Sequence, residues 1–184
     1  MPGSSSTSGI RLHERHSRVK TYGLGLAKDW EGYVARLEMV YNSGRRLPVR
    51  SPLGVSNTIT DEQIMVTSID FPTWRKLNFS LQFSSSHLTE FKSYLLRFTD
   101  QNIGAARAIW SVYNDSSLEM LVSKSFLDDG ARFQLEFMTP ITSAVEMRMG
   151  TEVYGGPKAS EFGRLHEASR FFISLKGYLT GIKP

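Results

Sequence analysis

The chain has 184 residues, 40% of them hydrophobic, and a formal net charge of +4. It has no cysteine, which excludes disulfide scaffolding, thiolate catalysis and cysteine-ligated zinc. No apolar run approaches the roughly 20 residues a membrane-spanning helix needs, and no secretory signal core follows the basic start.

Charge is unevenly placed. Through Arg50, nine basic residues face four acids, so the basic excess lies in the N-terminal quarter. Residues 1–28 are rich in Ser and Gly and carry Arg11, Arg15, Arg18, Lys20 and Lys28 against Glu14 alone. Such a stretch has too little apolar surface to pack a core and reads as a disordered basic arm. A cleaved transit peptide fits the same composition. Residues 29–184 then form one globular domain.

Tyr33 to Tyr41 alternates, with Arg36 and Glu38 opposite Ala35, Leu37 and Met39, which predicts a half-buried strand; helical spacing also fits. Asn42-Ser43-Gly44 signals a turn, leaving Arg45 and Arg46 at a hairpin tip and a short return strand over 47–49. Residues 51–58 read as a loop. Thr60-Asp61-Glu62 fits a helix start, and 64–69 fits a strand equally well.

Leu77 to Ser84 alternates strictly: Leu77, Phe79, Leu81 and Phe83 on one face, Asn78, Ser80, Gln82 and Ser84 on the other. This is a strand with one wet face. Leu88, Phe91, Tyr94, Leu95 and Phe98 then follow at helical spacing and predict a helix over 87–98, with a continued strand as the alternative. Residues 107–113 and 118–126 flank the turn residues 114–117 and predict a hairpin. Arg132 to Met138 alternates until Thr139-Pro140 breaks it, and Val145 to Met149 alternates again. After Gly155-Gly156-Pro157, Ser160 caps an expected helix over 160–176 with Phe162, Leu165, Ala168, Phe172 and Leu175 on one face.

The fold class expected from these elements is α+β: a mostly antiparallel sheet with two or three helices behind a disordered basic N-terminal arm.

Candidate chemistry is sparse. His13 and His16 lie in the arm, and His87 and His166 have no partner set visible in the sequence, so no catalytic, cofactor or metal site is assigned. Asp61-Glu62 and Asp128-Asp129 read as structural acids of a helix start and a turn. Gly23-x-Gly25 lacks the rest of a phosphate loop. The basic clusters are the site candidates. Arg11, Arg15, Arg18 and Lys20 in the arm, with Arg45, Arg46 and Arg50 beyond it, suit an anionic partner, either nucleic acid or lipid.

The segments YVARLEMVYNSGRRLPVR, DEQIMVTSIDFPTWRKLNFSLQFSSS, ARFQLEFMTPITSAVEMRM and SEFGRLHEASRFFISLKGYL, in that order, resemble the layout of a rhabdovirus matrix protein of the plant type. The resemblance implies a non-enzymatic virion protein that self-associates, condenses the viral nucleocapsid or RNA, and links it to an anionic membrane surface and the viral glycoprotein. It implies the virion, host cytoplasm and membrane as locations, with the nucleus as an alternative. The arm carries no Pro-Pro-x-Tyr budding signal of the animal members. Two other readings fit the same features: a jelly-roll coat protein with its arm on RNA, and an organellar protein with a cleaved transit peptide.

Overall fold

In the computed structural model the structure describes residues 18–51, 54–89, 100–113 and 115–177. They form one antiparallel sheet of nine strands: β1 (Lys20–Trp30), β2 (Tyr33–Ser51), β3 (Gly54–Asp70), β4 (Leu77–Leu88), β5 (Asp100–Ser111), β6 (Ser117–Ser125), β7 (Ala131–Thr142), β8 (Val145–Gly155) and β9 (Arg170–Gly177). Spatial order equals chain order, so every strand pairs with its sequence neighbours in a pure meander.

This corrects the α+β expectation. The described residues contain no helix of seven or more residues. Of the helix expected over 87–98, His87 and Leu88 belong to β4, and residues 90–99 lie outside the described residues. The helix expected over 160–176 is replaced by a single 3-10 turn, Gly163–Ala168, followed by β9. Its residues satisfy two periods at once. Phe171, Ile173 and Leu175 also alternate with Phe172, Ser174 and Lys176, and β8 offers a partner ladder from Val145↔Gly177 to Glu152↔Arg170. Aromatic and β-branched content then tips the segment to strand. Ser160 is not the cap of the 3-10 turn: the N-cap position is Phe162, which makes no side-chain cap bond. The Ser160 hydroxyl lies just before it, donating to the Pro157 carbonyl at 2.7 Å and accepting from the Gly163 N–H at 2.9 Å.

Four further boundaries move. Residues 20–28, assigned to the arm, form most of β1, in register with β2 from Lys20↔Ser43 to Trp30↔Tyr33. Asn42-Ser43-Gly44 is not a turn. It is a bulge inside β2, where the register shifts between Asn42 and Arg45 and Gly44 takes a φ of +80°. Thr60-Asp61-Glu62 lies within β3 rather than starting a helix. Thr139-Pro140 does not end β7, which continues to Thr142 through a second register shift beside Pro140.

The two rims of the sheet differ. At one, the connections 31–32, 71–76, 112–116 and 143–144 are tight, with positive φ at Glu31, Gly32, Arg75, Lys76 and Asp115. At the other, the connections are 89–99, 126–130 and 156–169, and the β2–β3 ribbon runs on past the last pairings with β1 and β4. We call these the turn rim and the loop rim.

Candidate functional surface

Cross-strand register assigns every strand residue to one of two faces. The first carries Leu24, Leu26, Leu37, Met39, Ile69, Leu81, Met120, Val122, Leu135, Met149 and Ile173 in adjacent rows. The second carries Arg36, Asp70, Gln82, Arg107, Glu119, Gln134, Glu136, Arg148 and Glu152. A water-soluble sheet would bury the first face.

This sheet does the reverse. Among the described residues, every strand residue that is buried lies on the polar face: Leu47, Val49, Thr60, Glu62, Leu88, Ser123, Ser125, Gly150 and Glu152. The large hydrophobic residues exposed within the strands lie on the apolar face, except Ile141 at the β7–β8 register shift. Leu26 is 58% exposed and Ile173 63%, against 0% for Glu62 and 5% for Glu152. The sheet curls about its polar face and turns its apolar face outward.

The inward face is a ladder of paired charges. Arg107 grips Glu119 with two bonds, Nε–Oε1 at 2.7 Å and Nη2–Oε2 at 2.9 Å. Glu152 takes Arg132 at 2.6 Å, Arg170 at 3.1 Å and the Tyr154 hydroxyl at 2.7 Å. Arg148 reaches Glu146 at 2.6 Å and Glu136 at 3.6 Å. Arg36 pairs with Asp70 across β2–β3. Gly150, in register with Glu136 and Phe172 on this face, has no room for a side chain: a Cβ would stand 2.5 Å from the Leu135 carbonyl oxygen and 2.9 Å from the Phe172 ring.

The outward face is bordered by aromatic rings at both rims. At the turn rim Trp30 of β1, Tyr33 of β2, Phe71 just past β3 and Phe79 of β4 follow one another, with ring centroids 6.3, 5.7 and 5.2 Å apart. Trp74, Trp110 and Tyr113 continue this end, all exposed. At the loop rim Tyr22 stacks on Tyr41 at 6.4 Å, and Phe126 packs on Phe83 at 6.2 Å over the space left by Gly104. Tyr22 and Trp30 are eight residue steps apart on β1, about 27 Å of strand. At a barrel strand's tilt of about 40° that spans about 21 Å of thickness, close to a lipid-facing band of about 25 Å. Lys28, inside that span, and Lys124 stand within two residues of a strand end, where a long side chain reaches the interface.

The loop rim is tied down by an acid. Asp128 accepts from the Gly130 N–H at 3.1 Å and the Glu161 N–H at 2.5 Å, joining segment 126–130 to segment 156–164. Gln101 donates to Glu161 at 2.8 Å and fastens the pair to β5. Burial raises the Asp128 pKa, but bonds from Ser125 and from the two backbone amides, with Arg164 nearby, outweigh it and hold the carboxyl below its ordinary value. A depressed carboxylate stabilises the fold above its ordinary pKa, and that contribution is lost as pH falls through the folded value. Asp128→Asn should therefore speed hydrogen exchange of the Gly130 and Glu161 amides at neutral pH. The difference from the parent should vanish as pH falls through the parent's depressed carboxyl pKa, below the ordinary carboxylate range.

The sequence-predicted basic residues scatter along the loop rim. Arg11 and Arg15 lie outside the described residues. Arg18 and Lys20 lead into β1 and are exposed. Arg45 is not at a hairpin tip: it lies on β2 and pairs inward with Glu62. Arg46 faces outward opposite Ile59, and Arg50 is in register with Val55 near the ribbon's end. Among the histidines, His87 pairs with Asp100 across β4–β5, and His166 Nδ1 lies 3.0 Å from the Tyr154 carbonyl oxygen. The sequence reading missed the aromatic borders and the inward charge ladder. Their signals were rings at strand ends and opposite charges at matched cross-strand positions.

No protein family, curated protein or solved structure matches the chain.

Proposed function

We propose that this sheet is a membrane-embedded β-barrel wall, crossing the bilayer with strands and lining a wet interior with its polar face. The observation that carries this reading is the inverted burial: Glu62 and Glu152 buried with their cations on one face, exposed hydrocarbon on the other face of the same strands. Lipid is the occupant that fits the apolar face. The face runs across all nine strands rather than forming one patch, and aromatic residues border it at both ends, as they do at the two interfaces of a bilayer. A partner protein would cover only part of so continuous a surface.

In hydrocarbon an unpaired strand edge costs several kcal/mol per unsatisfied backbone group. Among the described residues β1 and β9 each have a single neighbour, so the wall works within a closed ring. Both edge strands run from the loop rim to the turn rim. Direct contact between them would be parallel, and an odd number of intervening strands would keep the ring antiparallel.

The matrix-type reading rests on a basic arm and on an order of sheet segments ending in an amphipathic helix, and of these the late helix is replaced by β9. A matrix-type protein would attach peripherally, through its basic residues, to anionic lipid. The two readings separate in one experiment. The full chain is refolded with phosphatidylcholine vesicles whose acyl chains carry bromine at shallow or deep positions. Trp30, Trp74 and Trp110 all stand at the turn rim, so shallow bromines should quench them more than deep ones. The protein should stay with the vesicles in alkaline carbonate. No quenching, or quenching that needs anionic lipid and is washed off by salt, overturns the wall reading. The second outcome would favour peripheral attachment, and a water-soluble oligomer would show that protein covers the apolar face.

A further inference from the structure

We propose that Arg18, Lys20 and Arg46 form a binding site for the phosphate of an anionic lipid headgroup in the leaflet at the loop rim. The proposal rests on the membrane reading above and adds a ligand to it.

Three observations converge. First, Lys20 and Arg46 share the outward face at the β2 bulge, and the backbone of Arg18 passes beside it. Lys20 shares the face of Tyr22 and lies in register with Ser43, while Arg46 follows the β2 bulge on that same face. The β1 lead-in passes directly against the bulge: a side chain at Gly44 would stand 3.2 Å from the Arg18 carbonyl oxygen. Gly44, at φ +80°, is what lets the two segments meet there.

Second, the nearby acids are already engaged. Asp61 accepts from the Tyr41 hydroxyl at 2.5 Å and the Gly44 N–H at 2.9 Å. Glu62 is turned inward, held by Arg45 and Asn42. The bulge thereby splits two adjacent arginines, sending Arg45 inside to an acid and Arg46 outside. Among the described residues, Arg18, Lys20 and Arg46 have no ion-pair partner, and all three are exposed.

Third, the cluster has the depth of a headgroup. It lies immediately beyond the Tyr22–Tyr41 stack, the aromatic border of the apolar band. Cations just outside such a border meet lipid phosphates, and each is worth about a fivefold gain in affinity for an anionic surface. Guanidinium groups add paired donors suited to phosphate oxygens.

The native tryptophans all stand at the opposite rim, out of reach of bromine in this leaflet. The test therefore uses the full chain in vesicles with Trp30, Trp74 and Trp110 changed to Phe and a reporter Tyr22→Trp at the loop rim, and the triple variant R18Q/K20Q/R46Q in that background. Brominated phosphatidylglycerol competes against unbrominated phosphatidylcholine, and then the labels are exchanged. The parent should select phosphatidylglycerol at its surface by tenfold or more at low salt, and the variant should lose most of that preference. Quenching by brominated phosphatidylcholine alone should be equal in both proteins. Quenching in neither lipid would overturn the membrane reading. Quenching without anionic preference, or a preference the variant keeps, would overturn only this site. Glycerol phosphate in solution separates the sources of phosphate: if it abolishes the preference at low millimolar concentration, the site serves a free phosphate compound rather than a lipid.

Discussion

Val122→Arg should be strongly destabilising in a bilayer and nearly neutral in water. Val122 lies mid-strand on β6, on the outward face between Ala106 and Phe133, and is 41% exposed. On a water-soluble protein such a surface change stays within about 0.5 kcal/mol. On the lipid face of a barrel an arginine near the midplane costs about 2–4 kcal/mol, falling to about 0–1 kcal/mol near the interfaces. Tyr113→Arg, at the turn rim, should therefore cost much less than Val122→Arg. Urea titration of the chain refolded in phosphatidylcholine vesicles gives both values. Equal, small effects for the two would remove lipid from the apolar face.

The second large effect lies on the other face. Glu152→Ala should cost about 2–4 kcal/mol, because it strips Arg132, Arg170 and the Tyr154 hydroxyl of their shared acceptor inside the curl. Glu152→Gln keeps the shape and an acceptor for Tyr154, so its loss should be smaller. Equilibrium unfolding of both variants in the same vesicles checks the order. If both fall within 0.5 kcal/mol of the parent, as surface substitutions do, the charged face is solvated surface rather than interior.

Both predictions turn on which face is inside, and that is the point at which the sequence stops being legible. The alternation of Leu77 to Ser84 and of Arg132 to Met138 shows two faces, and the structure keeps the residues on the faces so read. Period two, however, is the same for a strand with hydrocarbon behind it as for one with hydrocarbon in front. The sequence reading placed the apolar rows inward because water is the default solvent, and a layered α+β fold followed from that choice. The hairpin of residues 107–126 was readable for a local reason, four turn residues between two strand-like runs. The segment 160–176 was not, because its apolar residues serve a helix and a strand alike until β8 supplies a partner. Residues 20–28 were read as arm because glycines at 23 and 25 thin the second face of β1. That face carries only Thr21, Gly23, Gly25, Ala27 and Asp29, while Tyr22, Leu24, Leu26 and Trp30 fill the other. As for the site, the basic residues were visible by composition. Their division into inward Arg45 and outward Arg46 needed the bulge.

Pairing each strand only with its neighbours in the chain also governs how the sheet can be made. Among the described residues no strand pairing waits for a distant segment, so each finished hairpin is the template for the next, and the sheet can grow from one end in order of synthesis. Its cooperativity is one-dimensional, as in a repeat array. A lesion should therefore be felt by direction rather than by distance. A flaw in the β5–β6 turn would leave β1 to β4 able to pair while depriving β7 to β9 of their edge.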